Sequence, residues 1–303
     1  MIVVSPEFQR ALAIVLSLLA ALGLAFGAQF QNQASEKKSG DRSTDTRLGP
    51  KAILRLVSRP RWLLGMTCLV AGGVCQISAL VLAPLIVVQP LGAAALVITS
   101  LLNARSTKTK INRATWWAIS LCTFGIAAFV AASASVAKES HLDDGNLAQI
   151  LLVLIVLCVL FAISFFTFAK RARATTYIVG AAILYGFVAS LIKAVVQRIA
   201  QGDFSLLTLV CLVVSGIVML MGGWFVQNAY ASGPPELVIA GLTVMDPMVA
   251  VSIGVIILGE AKQASALTLF IFVATAMVAI IGVWLLSRFH PEMLKKYERS
   301  KSQ

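Results

Sequence analysis

Charged residues are scarce in this chain, and that scarcity sets its class. Only 13% of its 303 residues are Asp, Glu, Lys or Arg, against 59% hydrophobic, whereas soluble domains carry about a quarter charged residues. So apolar a chain reads as a polytopic membrane protein. Histidine is scarcer still: His141 and His290 are the two, and both fall in loops between or after apolar runs. There are no paired carboxylates and no HExxH, P-loop or GxSxG. No span offers a cluster of acids for a hard divalent cation. The expectation is therefore a protein that is not an enzyme and that implies no cofactor. Cys68, Cys75, Cys122, Cys158 and Cys211 show no CxxC or metal spacing and read as small buried residues.

The formal charge of +12 does not point to nucleic acid, because the basic residues sit in short segments between apolar runs rather than over a folded face. Windows of about 20 residues predict nine helices, near 9–30, 62–82, 85–103, 115–137, 147–168, 177–199, 205–227, 237–259 and 264–287. The first run, Ala11 to about Ala28, is too long for the core of a signal peptide, and its leading segment sets Glu7 against Arg10, so it reads as a transmembrane helix. Nine spans place the four basic clusters on one side: the loop after the first helix (31–61), the segment from Arg105 to Arg113, Lys170 to Arg173, and the tail from Arg288. The acidic loop Lys138 to Asn146 falls on the other side. The amino end is then outside and the carboxyl end cytoplasmic. In the first basic loop, Lys51, Arg55 and Arg59 recur every four residues beneath Ile53, Leu54, Leu56 and Val57. That is either an interfacial helix binding anionic lipid or simply a topological anchor.

Two halves of the chain echo each other. GGVCQISALVLAP from Gly72 resembles GGWFVQNAYASGPP from Gly222, with Gln76 and Gln227, and Pro84 and Pro235, each 151 apart. Gln89 and Pro90 match Asp246 and Pro247 at 157, as Asn103 matches Glu260, and Gly23 aligns with Gly186. Helices 1–4 thus correspond to helices 6–9, and the odd central helix inverts the second copy. The expected fold is all-α with two inverted four-helix repeats joined by a central helix: 1–137, linker 138–176, 177–290, and a basic tail 291–303.

The notable polar residues in or near the spans are Gln76, Gln89, Lys193, Gln197, Gln227, Asn228 and Asp246, and the candidate substrate or ion pathway is Asp246 with Pro247, Gln89 with Pro90, Gln76, Gln227 and Lys193. A carboxylate at the bilayer centre is unfavourable by about 3 kcal/mol, and an interior proline adds a similar amount. Aspartate and proline are also a helix N-cap and first-turn residue, so the pair is expected to break its helix into halves beside a cavity. Lys193 either snorkels to the surface, as Arg198 is expected to, or pairs with Asp246. Glu260 reads as an interfacial end residue and Glu236 as a first-turn acid. Gly23 with Gly27, and Gly92 with the alanines that follow, read as packing faces.

The stretch DPMVA followed by LGE (Leu258 to Glu260) and a last apolar helix resembles the drug/metabolite transporter superfamily, particularly its EamA-like members. Gly186, Phe187 and Ser190 to Lys193 are similar to that superfamily's first helix in a repeat. APLIVVQPLGAAALVITSLL from Ala83 resembles the NIPA-type magnesium-transporter branch. The resemblance implies a permease fold of the cytoplasmic membrane and secondary transport. A NIPA-type cation transporter and a non-transporting lipid-handling or accessory protein stand as alternatives. The partners expected are a small-molecule or ion substrate, membrane lipids and a second copy in a homodimer; nucleic acid is not expected. The nine-span topology predicts that a single-cysteine label at His141 reacts from outside and one at Ser106 or Ser302 only from inside; the reverse at His141 would sink both the span count and the inversion.

Overall fold

Apolar stretches of this length have one way to satisfy their backbone in lipid, which is to coil into helices whose hydrogen bonds close within the segment. The computed structural model describes residues 6–36, 60–106, 112–138, 141–167, 174–232 and 235–288. These form α1 (Pro6–Glu36), α2 (Pro60–Leu82), α3 (Leu85–Leu91), α4 (Ala94–Ser106), α5 (Arg113–Val136), α6 (Asp144–Thr167), α7 (Ala174–Ala200), α8 (Leu206–Ser232), α9 (Pro235–Ile256) and α10 (Ala266–Arg288). Counting α3 and α4 as one span, the described residues hold nine helices long and apolar enough to cross a membrane. The proposed lipid-binding stripe at Lys51, Arg55 and Arg59 lies outside them, as do the Lys170 to Arg173 cluster and the tail beyond Arg288.

The exterior is as apolar as the interior. Leu220 and Ile256 are 77% and 78% exposed, and Trp117, Phe124 and Phe270 also face outward, as expected of helices solvated by acyl chains. α7 is the most enclosed span and α6 the least. α7 packs on α8 and α9, and α1 packs on α2 and α4; α6 lies against α7 and α8; α3 sits among α1, α5 and α9; α5 and α10 form a further close pair.

Small residues set these approaches, because without a hydrophobic drive between helices in lipid, association depends on close van der Waals packing. A Cβ on Gly23 would lie 2.8 Å from the Cys68 carbonyl oxygen and 2.9 Å from Gly72 Cα, so the Gly23/Gly27 face is indeed where α1 meets α2. The α5–α10 crossing is tighter and reciprocal. A Cβ on Gly125 would strike the Ala279 backbone, and one on Gly282 would strike the Cys122 backbone. Gly125 and Gly282 stand 157 apart, as do Cys122 and Ala279. Each contact is therefore the other with its partners exchanged.

A larger residue at this crossing must push two backbones apart. Gly125→Val and Gly282→Val are expected to lower stability by about 1–3 kcal/mol or more. Gly216→Ala, which meets nothing within 4 Å, should be neutral or slightly stabilising through helix propensity. Thermal unfolding of purified protein in detergent measures all three.

Candidate functional site

The two X-Pro pairs behave differently. After Gln89-Pro90 the helix tightens: Gly92, Ala93, Ala95 and Leu96 each donate to the carbonyl three residues back, at 3.0–3.2 Å, before α4 resumes. Pro90 has no N–H to donate and its ring crowds the preceding turn, so a short run of three-residue spacing carries the chain past it. Asp246-Pro247 does not break its helix. α9 runs from Pro235 to Ile256 with Pro247 inside it, so Asp246 is not the N-cap of a half-helix. α9 packs closely on α7 along this stretch: a Cβ on Gly241 would strike Ile178, and one on Gly186 would lie 2.6 Å from Val249 Cβ. That close fit offsets the single backbone bond lost at Pro247.

Both prolines face one crevice. It holds about 90 Å³ between α3, α5, α9 and α10, and its lining includes Pro90, Ile126, Phe129, Pro247, Met248 and Val283. Pro90 and Pro247 are 157 apart, and so are Ile126 and Val283. A larger hollow of about 450 Å³ opens between α6, α7 and α9 and shares Met248 with the crevice. Asp246 stands next to Pro247, halfway along α9. Its Oδ1 is buried and has no hydrogen-bond partner among the described residues. Gln89 is buried on α3, Gln76 is half-buried on α2, and Gln227 is exposed on α8, away from the crevice. Asn228 uses its Nδ2 on the Trp224 carbonyl one turn back, at 2.8 Å.

Lys193 neither snorkels nor reaches Asp246. Its side chain is fully buried, and Nζ donates to the carbonyls of Leu80 (2.6 Å) and Ala83 (2.9 Å). Gly186 on α7 lies level with Val249 and Ala250 on α9, which puts Lys193 about ten residues, or ~15 Å of helix rise, beyond Asp246. Glu260 is not an interfacial end residue either. It is 3% exposed, and its Oε1 and Oε2 accept from the backbone N–H groups of Leu85 (2.7 Å) and Ile86 (2.8 Å). Gly259, at φ +69°, turns the chain so that Glu260 folds inward. Gly254 leaves room for the carboxylate, since a Cβ there would lie 2.8 Å from Oε2.

Arg198 is 2% exposed rather than snorkelling. Its guanidinium donates to the Leu142 carbonyl (2.9 Å), to Asp144 Oδ1 (2.6 Å) and to Asp203. At the start of α1, Arg10 donates to the carbonyls of Ala134 and Ala137 at the end of α5. Asn146 holds the Ile257 carbonyl, and the Lys138 amide donates to the Glu260 carbonyl. These ties gather at the end of the bundle where α2 turns into α3. Among the described residues no three of His, Cys, Asp or Glu come together as metal ligands.

Fold and site together define a polytopic all-helical membrane protein with a small apolar crevice beside one unpartnered acid. An uncharacterised protein of Corynebacterium glutamicum is similar to it, 25% identical over 255 residues that cover 83% of this chain and 86% of that protein. No family model matches the chain, and no solved structure matches it.

A buried carboxyl oxygen without a partner destabilises the fold that carries it. Asp246→Leu, similar in size and without polar atoms, is expected to raise stability by about 1–3 kcal/mol. A lower melting temperature for this variant in detergent would show that Asp246 serves the fold instead.

Proposed function

We propose that the chain is a secondary transporter of the drug/metabolite transporter type, moving a small solute across the cytoplasmic membrane by alternating access, with its amino end outside. The observation that carries this reading is the crevice framed by Pro90 and Pro247 at matching places in the two halves. It adjoins a helix crossing, Gly125 on Ala279 and Gly282 on Cys122, whose contacts survive exchange of the halves. Two copies of opposite orientation that share one crossing can swap their conformations, which moves access to the crevice from one side of the membrane to the other. The expected inverted repeat is the simplest origin of that reciprocity.

Asp246 is the group assigned to coupling. It is an intramembrane acid with an unpartnered buried oxygen, next to a crevice-lining proline, and such acids mark ion or substrate paths. Its role is to take and release a proton, or to meet a cationic part of the solute, as the halves exchange. Gln89, at the matching position of the first half, supplies an amide and no charge.

The solute is to be identified by metabolite and metal profiling of a deletion strain, and its uptake then followed in vesicles. Because α9 is continuous at Asp246, Asp246→Asn removes charge and protonation without removing a cap. It should express at the native level, keep the fold, lose gradient-driven uptake and flatten the pH dependence of transport. Full proton-driven uptake by the asparagine variant would place coupling elsewhere. Robust, saturable magnesium flux abolished by Asp246→Ala would favour the cation-transporter alternative.

A further inference from the structure

The reversal between α2 and α3 is two residues long, Ala83 and Pro84, and it is buried: Ala83 and Leu85 to Val88 have no exposed surface. A helix end leaves carbonyls unsatisfied and a helix start leaves amides unsatisfied, and within a bundle no bulk water serves them. Pro84 offers no side-chain cap. Its carbonyl takes the Val87 and Val88 amides, and four of the other groups are met from the other half of the chain. Lys193 covers the carbonyls of Leu80 and Ala83, and Glu260 covers the amides of Leu85 and Ile86. A cation therefore holds the negative end of α2, and an anion holds the positive start of α3. Both ties are charge-assisted and screened from water, the setting in which such bonds are strongest.

We propose that Lys193 and Glu260 are positioning residues of transport, a latch that keeps the hairpin end of the bundle closed by fastening the first half to the second. This rests on the alternating-access reading. Opening this end requires the hairpin to leave α7 and the segment after α9, and that motion breaks four charge-assisted bonds together. The sequence carries no such pair of charges at the matching positions of the other half. Pro235 stands 151 residues after Pro84, but the residue 163 before Lys193 is Phe30, and the residue 157 before Glu260 is Asn103. Exchange of the halves is thus biased, and the state closed at the hairpin end is the one the chain rests in.

The test uses full-length protein in vesicles, with the five cysteines replaced by alanine and a single Ala83→Cys as reporter. A membrane-impermeant maleimide should label this site slowly while the latch is intact. Glu260→Gln, Lys193→Met and Gly254→Ala should each raise the labelling rate about tenfold, the scale set by losing a charge-assisted bond. Gly254→Ala is informative because it crowds the Glu260 carboxylate and leaves both charges in place. The double variant Lys193→Met/Glu260→Gln should label faster than either single variant, since opening breaks both ties in one motion and each single variant leaves one of them in place. Unchanged labelling in variants that elute and melt like the parent would overturn the latch. So would loss of folded protein in all three single variants, which would make the pair a folding determinant only. Labelling requires no solute, so a failure to find transport counts against the transport reading alone, and unchanged labelling counts against the latch alone.

Discussion

Away from water, every backbone N–H and C=O must find a partner inside the protein. A helix satisfies its own middle and not its ends, so the critical places are those where the chain reverses while buried in protein. The Ala83–Pro84 turn reverses the chain while buried in protein, and its surroundings follow from the same need. Lys193 is buried because two carbonyls are there; Glu260 is buried because two amides are there. Gly259 takes a left-handed conformation to aim the acid, and Gly254 lacks a side chain to make space for it. The same logic recurs at the same end of the bundle, where Arg10 serves the end of α5 and Arg198 serves the loop before α6. Charges here act mainly as partners for backbone dipoles.

The two prolines show how context decides the effect of one residue type. Pro90 lies in a seven-residue helix already confined by a turn before it and a glycine after it, so the backbone relieves the ring by tightening. Pro247 lies in the middle of a helix pressed along its length on α7 by Gly241 and Gly186, and the packing there outweighs one missing bond. Prolines 157 residues apart can thus differ in local geometry while lining the same crevice.

The nine spans were legible in the sequence because length and hydropathy bear directly on crossing the bilayer: a run expected at 62–82 is α2 at Pro60–Leu82, and one expected at 237–259 includes α9 up to Ile256. The glycine contact of α1 on α2 was legible too, since GxxxG has a physical meaning that depends on spacing alone. What Lys193, Arg198 and Glu260 do was not. Hydropathy treats a charge in a span as a cost relieved by water or by an opposite charge, whereas the principal partners here are backbone groups 56 to 175 residues away in the chain. The one local hint was the order Leu258-Gly259-Glu260 after an apolar helix, a glycine able to turn the chain followed by an acid. The helix break expected at Asp246 failed for a related reason: the packing that keeps α9 continuous comes from α7, and no window within α9 contains it.

The separation between the hairpin and its ties matters for how the protein is made. Leu85 leaves the ribosome long before Glu260, which lies 175 residues later, an interval of roughly 10 to 35 s at ordinary elongation rates. Throughout that time the spans already made carry a reversal whose polar groups lack their full set of partners. The early half must therefore wait in a provisional arrangement, shielded by lipid headgroups, water or the insertion machinery, until the late half arrives. Synthesis from the amino end gives the chain its order, but the α2–α3 reversal is completed only by a segment translated 175 residues later.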